Sequence, residues 1–322
     1  VGKDNCRNSN PPQSENQKMI PQSIKALEQQ LSSRNYVADR GLVTAAFLAM
    51  KLNKPLFLEG EAGVGKTEIA KVLADVLNTE LIRLQCYEGL DINHAVYEWN
   101  YARQLLELRA HDAGDNAHLH PNIFSAEFLI KRPLLQAIEE SRERAPVLLI
   151  DEVDRSDTEF EAYLLELLSD WQITIPELGT LKATYPPVVV ITSNRTRELH
   201  DALKRRCIYY WIDYPNFNKE LSIVRAKVPQ AEAQLAEQVV AFIQELRARD
   251  LYKMPGVAET LDWASALAAL DQTALDEQTV NETLGVILKY QDDVEQVRGG
   301  VASELTTRAQ NYQELGFERA GR

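Results

Sequence analysis

Residues 60–67 read Gly-Glu-Ala-Gly-Val-Gly-Lys-Thr, three glycines with a lysine and a threonine at the spacing of a phosphate-binding loop. Gly60, Gly63 and Gly65 let the backbone curl tightly enough for N–H groups along Gly60, Glu61, Ala62, Gly63, Val64 and Gly65 to face the β- and γ-phosphates of a nucleotide. Lys66 adds a mobile cation. Thr67 offers a hydroxyl to Mg²⁺, and the helical pattern that follows presents its positive N-terminal end to the same anion. A Gly-rich turn that binds nothing is the alternative, but the flanking strand and helix are the context that the nucleotide reading needs.

A second set of residues fits the same chemistry. The apolar run 146–150 ends in Asp151 and Glu152, as a buried parallel strand does at the edge where α/β proteins place ligands. Asp151 is expected beside Mg²⁺ through its water shell, and Glu152 is expected to accept a proton from an attacking water. Another such run, 188–193, ends at Asn194, which either holds that water or touches the γ-phosphate, unless it is a plain turn. Arg205 and Arg206 precede a further apolar strand, 208–212. They read either as surface salt-bridge formers or as the source of a guanidinium for a neighbouring subunit's γ-phosphate.

The elements that must hold these residues follow from periodicity. Strands are expected at 55–58, 81–85, 146–151, 188–193 and 208–212, with helices at 68–77, 103–109, 134–144 and 158–171 and two short strands within 172–187. Helical patterns around Leu27 and over 41–50 precede the loop, with Tyr36 and Val37 placed to wall an adenine pocket or simply to pack in the core. Beyond 218 only helical periods occur: 220–227, 231–249, 257–270 and 280–297. The fold class is therefore α/β, a P-loop core of parallel sheet between helices followed by an all-helical lid. The expected division is a disordered tail over 1–22, the ATPase core over 23–217 and the lid over 218–322.

A formal charge of −13 on 322 residues argues against a dominant nucleic-acid surface, since phosphate binding needs clustered Lys and Arg. Cys6, Cys86 and Cys207 form no C-x-x-C pair, so neither a disulfide framework nor a zinc knuckle is expected, and the compartment reads as reducing and cytoplasmic. No apolar run approaches the ~20 residues that span a bilayer. His111, His118 and His120 fall in a polar stretch that reads as a solvated loop rather than a metal site.

With these residues assembled, the chain resembles the AAA+ ATPases, and within them the MoxR family, closest to its CoxD-like members. The resemblance rests on GEAGVGKT at 60–67, LLIDEVD at 148–154, VITSN at 190–194 and ELHDALKRRCIYYWIDYP at 198–215. By match it implies Lys66 and Thr67 as phosphate and Mg²⁺ contacts, Asp151 and Glu152 as the metal and water-activating pair, Asn194 as a sensor, and Arg205 or Arg206 as the arginine finger. It also implies a helix insertion at 87–100 and a hairpin at 172–187. One departure is visible: many relatives carry a lid arginine after a Gly-containing turn, where this chain reads Pro255-Gly256-Val257-Ala258-Glu259-Thr260, so either another lid arginine such as Arg247 or Arg249 substitutes or lid closure is less tightly tied to the nucleotide. The family implies a homo-hexameric chaperone, a von Willebrand A domain partner and a protein client. For CoxD-like members that client is a molybdenum-containing carbon monoxide dehydrogenase whose metal centre is matured. The ATPase subunit of a metal chelatase would have much the same core, and a DNA-directed AAA+ motor is disfavoured by the charge and by a hairpin whose one basic residue is Lys182.

Overall fold

The structure, a computed structural model, describes residues 20–112, 122–140 and 145–312. Residues 1–19 of the expected tail lie outside that range, as do 113–121 of the histidine-bearing stretch, and with them the metal question for His111, His118 and His120. Ile20 packs on the core and Pro21 is buried, so the last residues assigned to the tail touch the folded body.

Five strands, β1 (Leu56–Gly60), β2 (Leu81–Gln85), β5 (Val147–Asp151), β8 (Val188–Ser193) and β9 (Ile208–Ile212), form one parallel sheet in the order β2-β5-β8-β1-β9. The near-continuous apolar residues of the inner strands β1, β5 and β8 reflect burial on both faces, while the edge strands β2 and β9 are partly exposed. Alternation along each strand sorts the side chains: Leu56, Leu58, Val147 and Leu149 pack under α1 (Ile24–Ser32), α2 (Arg40–Leu52) and α3 (Lys66–Leu77). Phe57, Leu148, Ile150 and Ile191 pack on the opposite face with α6 (Pro133–Glu140) and α7 (Thr158–Asp170). Each fully buried aliphatic side chain stabilises the fold by roughly 1.5–3 kcal/mol.

The stretch 87–100, where an insertion is expected, holds a short helix α4 (Ile92–Ala95) and β3 (Tyr97–Trp99); α5 (Tyr101–Asp112) follows it, and β3 pairs antiparallel with β4 (Leu129–Lys131). The expected hairpin is β6 (Gln172–Ile175) with β7 (Gly179–Lys182). Between β8 and β9 lies the six-residue helix α8 (Asp201–Arg206), so Arg205 and Arg206 close a helical turn. Cys86 and Cys207 are buried free thiols.

From Phe217 onward the described chain is helical: α9 (Phe217–Lys227), α10 (Ala233–Arg247), α11 (Val257–Ala269), α12 (Glu277–Ile287), α13 (Gln291–Val297) and α14 (Gly300–Gln310). Their own apolar core is centred on Trp263, whose indole donates to Thr283 Oγ1 at 2.8 Å and packs 5.0 Å from Phe242. The single helix expected over 280–297 is two, because Leu288 turns extended (φ −108°, ψ 129°) and is buried. Helix α14 was not anticipated; Ala302, Leu305 and Ala309 carry its buried face behind the Gly299-Gly300 break. Among the described residues no helix is long and apolar enough to cross a membrane.

Candidate active site

β1 ends in Gly60, where a side chain would run into the Ile212 carbonyl of the neighbouring strand, and the chain turns through Gly63 (φ +77°) and Gly65 (φ +91°) into α3. Both positive φ values belong to the region where only glycine is unstrained. The loop borders a cavity of about 450 Å³. Lys66 Nζ donates to the Gly60 carbonyl at 2.7 Å and the Glu61 carbonyl at 2.5 Å. Burial pulls its pKa down, opposed by Asp154, Glu61, Asp151 and Glu152. A folded-back ammonium in an acidic surround is what a phosphate group would exchange into.

The acids arrive on β5. Asp151 Oδ1 accepts from Thr67 Oγ1 at 3.0 Å and from Thr192 Oγ1 at 2.5 Å, so three elements, α3, β5 and β8, meet on one oxygen. Asp151 Oδ2 faces the Arg83 guanidinium of β2 at 2.5 Å. Strand β5 ends there. Glu152 takes a left-handed backbone (φ 54°), its N–H donates to Thr192 Oγ1 at 2.9 Å, and its carboxylate meets Arg155 at 3.1 Å. Buried Asp154 accepts from the Asn194 N–H at 3.2 Å and from Thr196 N–H and Oγ1 at 2.8 and 2.7 Å. Burial raises its pKa, but these hydrogen bonds outweigh that and hold the carboxyl below its usual range.

Sequence reasoning placed Lys66, Thr67, Asp151, Glu152 and Asn194 together, and all five line the cavity with Ala62, Gly63, Val64 and Gly65. Tyr36 and Val37 also line it, and Tyr36 packs against the core as well. Arg205 and Arg206 do not line it; Arg205 is 81% exposed, 3.9 Å from Asp201.

Neither lid arginine reaches the cavity. Arg247 forms a buried two-pronged ion pair with Glu220 (2.7 Å on each prong) and donates Nε to the Pro255 carbonyl, while Arg249 pairs with Glu304. Lys219 and Lys227 of α9 line the cavity instead, bonded to Asp39 at 2.9 Å and Glu68 at 2.8 Å. Arg83, Thr192 and Asp154 escaped the sequence reading. The outward Arg83 in the apolar-rich strand 81–85 was the available signal.

An Mg²⁺ ion fits this donor set. Thr67 and Asp151 offer hard oxygens 3.0 Å apart, and a cation, Arg83, already sits on the second Asp151 oxygen.

Residues 55–207 match the family described as AAA domain (dynein-related subfamily). Similar proteins include an uncharacterized protein of Staphylococcus epidermidis, 25% identical over 269 residues that cover 80% of this chain and 93% of the relative. One of Staphylococcus saprophyticus is 24% identical over 278 residues, covering 83% and 96%. Among solved structures, a RuvB mutant of Thermotoga maritima aligns with 94% of this chain and 92% of its own, at 18% identity and a TM-score of 0.45. The phosphate loop and the acid-tipped strand both fall inside the matched span.

Proposed function

We propose that this chain hydrolyses ATP to ADP and phosphate and uses the energy to remodel a client protein. The observation that carries the reading is the convergence of Lys66, Thr67, Asp151, Glu152 and Asn194 on one 450 Å³ cavity. The loop N–H groups and Lys66 hold the β- and γ-phosphates, and Tyr36 and Val37 flank the base. Thr67 and Asp151 would hold Mg²⁺, which when bound offsets charge on the phosphate oxygens. Asn194 orients a water, Glu152 takes its proton as its oxygen bonds to the γ-phosphorus, and the bond to the bridging oxygen breaks, leaving on ADP. Glu152 must first leave Arg155, its partner at 3.1 Å.

Arg205 and Arg206 stand outside their own cavity, so the transition-state guanidinium comes from a neighbouring copy, in a ring of the hexameric kind that MoxR-like proteins form. A von Willebrand A domain partner and a metalloenzyme client, such as a molybdenum hydroxylase, follow from that resemblance. Nucleotide affinity and phosphate release on two variants test the chemistry. Lys66→Ala is expected to lose ATP binding, and Glu152→Gln to keep binding and lose turnover. Normal hydrolysis by Glu152→Gln would remove Glu152 as the base.

A further inference from the structure

Glu59 is the last side chain of β1 before the phosphate loop, and at 4% exposure it is a carboxylate buried on the Phe57 face of the sheet. Both of its oxygens are taken. Oε1 accepts from Lys204 Nζ at 3.2 Å and Oε2 from the Tyr209 hydroxyl at 2.8 Å. Lys204 belongs to α8 and Tyr209 to β9, so the two bonds bracket the segment Arg205-Arg206-Cys207-Ile208.

Apart from the clasp, the bracketed helix is held at its N-cap, where the His200 N–H donates to Glu161 Oε2 at 2.8 Å, and by buried apolar side chains. Six residues are too few to be stable as an isolated helix. Leu203 is fully buried and supplies non-directional packing, and the Lys204 ammonium also lies 5.9 Å from the Phe57 ring centroid. With successive side chains about 100° apart around a helix, pinning Lys204 to β1 turns Arg205 and Arg206 toward solvent. A buried ion pair is a poor source of stability compared with apolar side chains of the same shape, but it is directional. On the other side, Glu59 is followed by Gly60, whose carbonyl holds Lys66. Rearrangement of Lys66 onto phosphate therefore occurs one peptide from the clasp.

We propose that Glu59 is the positioning residue for the trans-acting arginine: by clasping Lys204 and Tyr209 it sets the pose in which α8 presents Arg205 and Arg206 to the neighbouring subunit. The proposal rests on the trans-finger reading above. Its chemistry lies in the chain that gives the arginine, not in the chain that holds the ATP.

Mixing full-length chains tests it. Glu59→Gln alone should keep ATP affinity near the parent value and lose turnover by on the order of tenfold or more, as misplaced fingers do. Mixed with Glu152→Gln, whose finger is intact, it should regain activity. Mixed with the Arg205→Ala/Arg206→Ala double variant, whose own site is intact, it should not. The opposite pattern would place Glu59's effect in its own phosphate loop and overturn the proposal, as would unchanged turnover, rescue by both partners or rescue by neither. Tyr209→Phe, which deletes one hydrogen bond, carries the same mixing test should Glu59→Gln fail to fold. The control is the double arginine variant mixed with Glu152→Gln: if that pair fails to complement, the trans-finger reading itself is wrong and the proposal falls with it.

Discussion

Gly256 lies directly against Gly63, so the C-terminal helices touch the phosphate loop backbone to backbone. A Cβ added at Gly256 would come within 2.9 Å of the Gly63 Cα and 2.8 Å of the Ala62 carbonyl oxygen, and the Ala258 N–H donates to the Gly63 carbonyl at 3.2 Å. Gly256→Ala forces α11 off the loop at a cost of about 1–3 kcal/mol. ATP affinity, followed with a fluorescent nucleotide, is expected to fall by on the order of tenfold. An unchanged affinity would mean that the loop and α11 separate freely.

Arg83 holds the second oxygen of the Asp151 carboxylate, which the proposed reading gives to Mg²⁺. Replacing Arg83 by Met leaves Asp151 Oδ1 with its two threonine donors and clears Oδ2. The Mg²⁺ concentration at half-maximal nucleotide binding is expected to drop about three- to tenfold, the range of one removed charge contact. A titration that superimposes on the parent protein would show that arginine and ion do not share the site.

The Arg247 pair with Glu220 gives a different expectation. Both groups are buried, Thr260 Oγ1 donates to the same carboxylate at 2.7 Å, and the guanidinium lies 4.8 Å from the Tyr214 ring centroid. Arg247→Met strands a buried carboxylate and should lower stability by about 3–5 kcal/mol in denaturant unfolding, with secondary loss of turnover. A stable variant that loses turnover alone would restore Arg247 as a nucleotide sensor.

If either arginine of α8 acts in trans, the monomer cannot complete its own site. Turnover per chain should rise with protein concentration as rings form, while ATP affinity changes little. Replacing the acting arginine by Ala should lower turnover on the order of 10³-fold. Light scattering with ATP and Mg²⁺, run beside the assay, separates assembly from chemistry. Concentration-independent turnover by a monomer would end the ring mechanism.

The inner strands β1, β5 and β8 were legible because they are buried on both faces and so read as apolar runs. The edge strands 81–85 and 208–212, though partly exposed, kept enough apolar and aromatic residues to be assigned to the residue. The loop and the two acids were legible because phosphate and metal chemistry restricts residue types at fixed spacing. Arg83 was not, since its partner lies 68 residues away and meets it only through the register that sets Gln85 opposite Asp151. Glu59 was hidden for a similar reason: its partners, 145 and 150 residues on, depend on β9 returning beside β1. The ion pairs of the lid arginines were not legible, because the sequence shows a cation without its counter-ion and Glu220 sits on a different helix from Arg247.

The two buried cysteines turn the molecule into its own stopwatch. Burial pushes both thiols up to about 12, and with neither thiolate nor access, alkylation waits for local opening. Cys86 bonds its N–H to the Asp151 carbonyl at 2.9 Å, so its labelling rate times the parting of β2 from β5. Cys207 donates Sγ–H to the Leu203 carbonyl at 3.1 Å, immediately after Arg206, so its rate times the lifting of α8. In a Cys6→Ser background the two rates, read separately by mass spectrometry, would show whether nucleotide quiets the metal-facing edge and the arginine-bearing turn together or one before the other.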